Sequence, residues 1–332
     1  MKQNLVFGLL ALVLLLVLPV AALGLQPGAN AQGGAAAQVP SSSVADKASA
    51  GSGEKDGEAS IEVFRSATGK TESIALEEYL RGCVAAEMPL NYHEEALKAQ
   101  AVACRTYALF RTREEGKKYV SDSGESDQGY LPPEERKKKW GENYEAYERK
   151  LGKVVQAVFK QELRYEGKPI LAAFHAVSSG LTESAAVYWG EQFPYLQSVA
   201  SPGDRLSPEL SQSTVFTQAE MKTALQTLEG MVLGDDPAEW LGKATQSEAG
   251  TVTGILIGKK EYSGRQVRTA LGLRSANFSV VYEKGHFTVK TTGYGHGVGM
   301  SQYGADFMAR QGSDYIAILE HYYTGCTVEE VG

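Results

Sequence analysis

Apolar residues recur at helical spacing after residue 75 and form one stripe along a predicted helix, from Leu76 to Val84 and beyond. Glu87 falls in the same stripe, just before Pro89, which ends the helix. Partial burial disfavours the charged form of a carboxyl group, so the pKa of Glu87 is expected to rise toward that of a general acid. A structural ion pair is the alternative, with Arg105 as an available partner.

Helical spacing and capping residues predict further helices. The second begins at an N-cap signature of Asn91 and Glu94, runs to about Arg113 and should be buried, because residues 99–104 are almost wholly apolar. Residues 117–143 are polar and charged and are predicted to be a loop insertion. Other helices are expected over residues 144–159, after Thr217, after Ser263 and after Ser301.

Alternating apolar and polar positions predict strands, several of which pair as hairpins. These strands are expected over residues 60–75, over residues 163–175 with His175 at the end of the second strand, and at 252–257, 278–283 and 287–291. Strands and helices do not alternate in a regular order along the chain. The predicted fold class is therefore α+β, with mixed helices and antiparallel hairpins forming a groove, after an N-terminal transmembrane helix.

The N-terminal segment differs in composition from the rest of the chain. Residues 5–25 form an apolar run of about 20 residues, long enough to cross a bilayer. We expect residues 1–26 to be an uncleaved anchor, although Ala29-Asn30-Ala31 resembles a signal-peptide cleavage site. Residues 27–59 are rich in Gly, Ala and Ser and are expected to be a flexible linker. Residues 60–330 then form the functional domain, on the outer side of the membrane.

Charge and cysteine content narrow the function classes. The net charge of −7 argues against nucleic acid as a partner. Three cysteines suit neither a disulfide framework nor a metal cluster, and Cys83 and Cys104 are expected to be small core residues. With five histidines and no HExxH or CxxC motif, no metal is predicted.

Glycine stands at every second position from Gly293 to Gly299. In an extended chain this pattern leaves one face of bare backbone, against which a flat polysaccharide could lie; close packing against another strand is the alternative. The spacing does not fit a dinucleotide-binding motif. His296 within this run and His175 could orient a ligand or a carboxylate, although a single histidine is more often structural.

These segments together resemble the stage II sporulation protein D family, over about residues 61–328. The matching residues include 77–80, Glu87-Met88-Pro89, 95–103, 105–108, Phe174-His175, 178–183, Trp189-Gly190 to Ser201-Pro202, 295–304 and 322–325. Several separate motifs occur in the right order, which makes the resemblance specific.

The resemblance implies a lytic transglycosylase that cuts peptidoglycan glycan strands during engulfment of the forespore, with Glu87 as the catalytic acid. It also implies partners: a cell-wall amidase, stage II sporulation protein P, which strips peptides from the strands, and stage II sporulation protein M in the membrane. No cofactor is expected. The candidates for positioning the glycan or Glu87 are Arg105, His175, Ser178, Thr182, Glu183, His296, Gln302 and Tyr303.

Two departures from the family pattern stand out. Ser178-Ser179-Gly180 replaces the usual Ser-Gly-Gly, and the segment 121–130 has no Cys or His where some members look to bind zinc. Related proteins resemble amidase enhancers, so a non-catalytic glycan-binding function is an alternative. A muramidase with Glu183 as its second carboxylate is another.

Overall fold

The computed structural model describes residues 60–124 and 126–331. The predicted anchor (1–26) and linker (27–59) lie outside these residues. Among the helices of the described residues, none combines the length and the apolar run that crossing a membrane requires.

The described part of the chain combines helices and short strands, which confirms the mixed α and β content. The helices are α1 (Leu76–Glu87), α2 (Glu94–Leu109), α3 (Pro133–Trp140), α4 (Tyr144–Val158), α5 (Ala185–Trp189), α6 (Gln218–Leu225), α7 (Gly264–Leu271), α8 (Gln302–Arg310) and α9 (Tyr315–Tyr322). A π-helical turn, Phe110–Glu114, extends α2.

The strands are short and belong to several small sheets. They are β1 (Ser60–Arg65), β2 (Lys70–Ala75), β3 (Val120–Ser121), β4 (Gln161–Tyr165), β5 (Lys168–Pro169), β6 (Phe174–His175), β7 (Ser211–Thr217), β8 (Leu241–Gln246), β9 (Val252–Ile257), β10 (Lys260–Tyr262), β11 (Phe278–Glu283), β12 (His286–Thr292), β13 (Met300–Ser301) and β14 (Thr327–Glu330). The sheet orders are β2-β1-β3, β14-β4-β5, β13-β6, β10-β9-β8 and β11-β12-β7. Pairing is antiparallel except for β1 with β3 and β6 with β13.

Two apolar clusters divide the described residues into a main body and a small lobe. The main body is built around α2, which packs on α1, α4, α8 and α9 and is buried along most of its length, as its apolar sequence predicts. The small lobe, residues 211–292, has its own core, which includes Ile255, Phe278 and Phe287. The capping boxes predicted at Thr217 and Ser263 are formed and start α6 and α7.

The start of α2 differs from the predicted one. His93, not Asn91, is the N-cap: its Nδ1 accepts a hydrogen bond of 3.3 Å from the amide of Glu95. An imidazole nitrogen can accept a hydrogen bond from a backbone amide, as a carboxylate or hydroxyl oxygen does. The usual N-cap preference for Ser, Thr, Asp and Asn does not include this case. The helix therefore begins at Glu94.

The segment predicted as a loop insertion, 117–143, contains the helix α3. Pro133 occupies its first turn with Glu134 and Glu135, and Lys137–Lys139 occupy its last. Proline fits the first helical turn because its missing N–H is not needed there, and this order of charges opposes the helix dipole. The prediction of a loop was wrong over α3 because the charged composition hid the helix signals.

The predicted hairpin over residues 163–175 forms only in its first part. Strands β4 and β5 pair across the turn, but β6 leaves the hairpin and pairs in parallel with β13. In that register His175 lies opposite Ser301, at the start of α8. A contact over 126 positions of sequence cannot be read from a local alternation of residue types.

Candidate active site

Glu87 is the last residue of α1, where the chain leaves the helix. The helix buries the predicted apolar stripe, including Tyr79, Leu80 and Cys83, and Met88 then turns to extended backbone. The Glu87 side chain is half-buried. The sequence pattern thus identified correctly a carboxyl group that shares the buried face of α1.

A backbone amide from the segment before α3 holds this carboxyl group. The N–H of Gly129 donates a hydrogen bond of 2.5 Å to Glu87 Oε1. A Cβ at position 129 would lie 2.9 Å from that oxygen, so glycine permits the close approach. The neighbouring Gln128 anchors the segment, donating to the Tyr79 hydroxyl at 2.8 Å and to the Cys104 carbonyl at 3.0 Å.

Burial dominates the electrostatics of Glu87. It raises the pKa of Glu87 above its ordinary value, against the Gly129 hydrogen bond and the positive charge of Lys139, which both lower it. Lys139 is itself occupied by a hydrogen bond of 3.2 Å to the Ala85 carbonyl. No salt bridge joins Glu87 to a cation within residues 60–124 and 126–331.

Arg105, which could have neutralised Glu87, is bound elsewhere. Its Nη2 lies 3.1 Å from Glu162 Oε1, and Arg164 binds the other oxygen of Glu162 at 2.9 Å. The Arg105 guanidinium also lies over the ring of Phe159. The structural alternative for Glu87, an ion pair with Arg105, is therefore not formed.

The glycine run is not an extended strand, as its alternation suggested. Gly293, Gly295, Gly297 and Gly299 all have positive φ, from 71° to 108°, so the chain is looped. A Cβ on Gly299 would lie 2.0 Å from the Ala173 carbonyl oxygen, and one on Gly295 2.8 Å from the Cβ of His175. These glycines serve close packing against the chain around β6, which was the alternative to a bare ligand-binding face.

The glycine run also borders a small cleft between the main body and the small lobe, here called the glycine cleft. Its polar lining includes Ser179, Glu183, Thr251, Asn277 and His296, but not Glu87. Glu87 is therefore not part of the glycine cleft.

His175 and His296 are neighbours, with ring centroids 5.8 Å apart. His175 Nδ1 lies 3.1 Å from the Val298 carbonyl, while its Nε2 is buried with no hydrogen-bond partner in the described part of the chain. His296 Nδ1 accepts from the Val298 amide at 3.0 Å. Burial lowers the pKa of His175, and it lowers the pKa of His296 to about 3 with help from His175 and Arg268.

Ser178 belongs to a buried polar cluster centred on Asp204. Asp204 Oδ2 accepts hydrogen bonds from the Ser178 amide at 2.8 Å and from the Ser178 hydroxyl, and Oδ1 accepts one of 2.8 Å from the Ser301 hydroxyl. The cluster ties the loop after β6 to the start of α8 and therefore fixes the local structure. Asp204 was missed in the sequence, where only its position two residues after Pro202 of a matching motif pointed to it.

Thr182 and Glu183 are also held by internal hydrogen bonds. Thr182 is fully buried, and its hydroxyl accepts from the Val199 amide at 2.9 Å. Glu183 accepts from the Ser184 amide at 2.9 Å and from the Ser247 hydroxyl at 2.5 Å. Through Ser247, Glu183 connects the main body to the small lobe.

Gln302 and Tyr303 open α8. Gln302 donates to the side-chain oxygen of Gln100 on α2 at 3.3 Å. The Tyr303 hydroxyl donates to the Leu206 carbonyl at 3.2 Å, and its half-exposed ring meets Tyr92 edge to face at 6.4 Å. Both residues therefore have structural contacts, and a role toward a glycan stays a prediction for them.

The three cysteines are free and buried, as expected of Cys83 and Cys104. No group of three or more His, Cys, Asp or Glu side chains within residues 60–124 and 126–331 is arranged to hold a metal ion. The absence of a metal from the function remains a prediction.

Comparisons with known proteins agree with the motifs around Glu87. A family described as "Stage II sporulation protein" matches residues 65–165, which include Glu87, Arg105 and Gly129. The chain is 38% identical to "Stage II sporulation protein D" of Bacillus subtilis, over 91% of this chain and 88% of that protein. It is 39% identical to the protein of the same name from Bacillus amyloliquefaciens, over 83% and 80%. A protein named "Amidase enhancer" from Bacillus subtilis is 27% identical, over 75% of this chain and 40% of that protein.

The chain is therefore a sporulation protein of mixed α and β structure. It belongs to the stage II sporulation protein D family.

Proposed function

We propose that the chain is a lytic transglycosylase, which cuts peptidoglycan glycan strands between N-acetylmuramic acid and N-acetylglucosamine during sporulation engulfment. The observation that carries this proposal is the state of Glu87. It is half-buried at a helix end, its pKa is raised by burial, and it forms no salt bridge with a cation of the described residues. A carboxyl group whose pKa is raised keeps its proton to higher pH than an ordinary glutamate and can deliver that proton to a glycosidic oxygen.

The hydrogen bonds of Glu87 assign different tasks to its two oxygens. Oε1 accepts from Gly129, while no hydrogen bond engages Oε2 among the contacts of the described residues. An oxygen without a donor is the better site for the proton, so Oε2–H protonates the glycosidic oxygen as the bond to muramic acid C1 breaks. The Gly129 amide keeps the carboxylate oriented while it is charged.

The second half of the reaction needs no water. The Glu87 carboxylate takes the proton of the 6-hydroxyl on the same muramic acid, and that oxygen bonds to C1 to close a 1,6-anhydro ring. Glu87 ends protonated, as it began. One carboxyl group thus serves as acid and then as base.

A hydrolytic muramidase would need a second carboxylate beside the scissile bond. The candidate was Glu183, but both of its oxygens accept hydrogen bonds, from Ser184 and Ser247. It also lines the glycine cleft, which does not include Glu87. These contacts favour the single-carboxylate reaction over hydrolysis.

A second candidate function is a glycan-binding enhancer of a cell-wall amidase. The observation that favours it is the similarity to the protein named "Amidase enhancer". Such a protein would hold glycan without cutting it, so the two functions differ in whether purified protein alone releases products.

The resemblance and the N-terminal sequence support the same cellular location and the same partners for either function. We propose that residues 1–26 anchor the chain in the cell membrane as a single span, with the catalytic domain on the extracytoplasmic side. Stage II sporulation protein P is the proposed amidase that prepares the peptide-stripped strands, and stage II sporulation protein M is the proposed membrane partner.

The test is product analysis with the purified full-length chain, peptide-stripped glycan strands and no amidase. Mass spectrometry should detect 1,6-anhydromuramic acid ends with the wild type and none with Glu87→Ala, whose circular dichroism should match the wild type. Equal product release by Glu87→Ala would overturn the role of Glu87. Reducing ends would indicate a muramidase, and no products from the wild type would favour the enhancer.

A further inference from the structure

A second and larger cleft lies between the end of α5 in the main body and α7 in the small lobe. Its volume is about 600 Å³, within the size range of ligand sites. One wall is formed by Tyr188, Trp189 and Gly190, and the other includes Arg265 and also the acidic residue Glu229. We call it the Trp189 cleft; neither Glu87 nor any candidate positioning residue lines it.

The first wall is a supported aromatic surface. Trp189 is half-exposed and is held against Tyr188, edge to face at 6.0 Å, and against His296 at 5.2 Å. The Tyr188 hydroxyl accepts a hydrogen bond of 2.7 Å from Arg268. A half-exposed indole held in this way presents the face of its ring, which is partly negative because of the ring quadrupole. The C–H groups of a sugar ring can pack against that face. His296, which contacts Trp189, is part of the lining of the glycine cleft.

The second wall presents a cation. Arg265 is exposed in the first turn of α7, and its guanidinium lies 6.0 Å from the Tyr188 ring centroid. No carboxylate within residues 60–124 and 126–331 forms a salt bridge with Arg265. The guanidinium fork matches a carboxylate in two parallel hydrogen bonds, and here it stands beside an aromatic face without a partner.

We propose that the Trp189 cleft binds one muramic acid residue of the glycan, with the sugar ring on Trp189 and the lactyl carboxylate on Arg265. This inference rests on the proposed function, because it assumes a peptidoglycan glycan as ligand. The lactyl group carries a free carboxylate only after its stem peptide has been removed; before removal it is a neutral amide. Arg265 is therefore the residue that distinguishes stripped strands from strands that still carry peptides.

The test is binding in a Glu87→Gln background, which prevents cutting, with three oligosaccharides of equal length. These are muramic acid–glucosamine oligomers with free lactyl carboxylates, the same oligomers with the lactyl groups amidated, and chitooligosaccharides without lactyl groups. Affinities are measured by isothermal titration calorimetry with the full-length chain. The parent should prefer the carboxylate form by about tenfold, as expected for a charge-assisted hydrogen bond.

Arg265→Gln should lose this preference, binding all three ligands with nearly equal affinity. Arg113→Gln, a matched change at an exposed arginine outside the cleft, should keep it. Trp189→Ala should weaken binding of all three ligands by about tenfold, in a variant whose circular dichroism matches that of the parent. Trp189→Phe, which retains an aromatic face, should recover part of the loss.

Two outcomes would overturn the proposal in distinguishable ways. If the parent binds the glycans but Arg265→Gln retains the carboxylate preference, the cleft assignment is wrong and the proposed function stands. If the parent binds no glycan and the wild type releases no products, both fall together.

Discussion

Glu87 and Glu162 are two carboxylates beside the same helix, α2, in opposite electrostatic environments. Glu162 is fully buried, and two guanidinium groups bind it, Arg105 at 3.1 Å and Arg164 at 2.9 Å. Glu87 is half-buried and receives one backbone N–H. The more buried group is the neutralised one, so burial alone does not identify a working acid.

The two environments differ in the positive charge that faces each carboxylate. Two guanidinium groups pair with Glu162, so it contributes to the fold and not to proton transfer. Burial without a salt bridge raises the pKa of Glu87 and keeps a proton available. Because Arg105 pairs with Glu162, it is not available to form a salt bridge with Glu87.

The largest expected effect on stability comes from Glu162. Glu162→Gln leaves Arg105 buried without its counter-charge, and breaking a buried pair in this way costs about 3 kcal/mol of unfolding free energy. Urea denaturation followed by circular dichroism measures the loss.

Glu87→Gln is the control for that experiment. The pKa of Glu87 is raised in the folded state, so stability from its neutral form is present at low pH and lost as pH rises through the folded pKa. At neutral pH the uncharged glutamine should therefore be as stable as the wild type or slightly more so. A loss at Glu87 as large as that at Glu162 would contradict the distinction between the two groups.

An intermediate effect is expected at Gly129. A Cβ there would lie 2.9 Å from Glu87 Oε1 and 3.0 Å from the Cβ of Ala86, so Gly129→Ala should displace the amide that orients the carboxyl group. Release of anhydro products should fall about tenfold, because small misplacements of a catalytic group are costly. Gly124→Ala is the control in the same segment: a Cβ there would have no atom within 4 Å. Equal activities of the two variants would show that the Gly129 contact does not matter.

The smallest effect is expected from Lys139→Met. The positive charge of Lys139 lowers the pKa of Glu87, so its removal should raise that pKa further. A general acid works while protonated, and the rate falls as pH rises through its pKa. The alkaline limb of the pH–rate profile should therefore move to higher pH. A shift to lower pH would mean that Glu87 does not supply the proton.

The helix that carries Glu87 was predictable because its signals are local. The apolar stripe of α1, the capping boxes of α6 and α7, and the antiparallel hairpin of β1 and β2 all depend on residues close in sequence. The resemblance to the family added the expectation that Glu87 is catalytic, whereas periodicity alone left a structural ion pair as an alternative.

The parts that could not be predicted depend on distant contacts. Glu162, the partner of Arg105, is 57 positions away in sequence, and the Gly129 amide binds Glu87 across 42 positions. Strand β6 pairs with β13 and not within the predicted hairpin. The prediction of an extended chain over the glycine run was wrong for another reason. Alternating glycines suit an extended strand and a looped chain equally, and only the close approach to β6 and its neighbours decides between them.

The most direct test of the central claim is the titration of the Glu87 carboxyl group itself. In 13C NMR of protein labelled at the glutamate carboxyl carbons, one resonance should titrate above the ordinary range for glutamate and disappear in Glu87→Gln. A Glu87 resonance that titrates at or below that ordinary range would contradict a carboxyl group that holds its proton for catalysis.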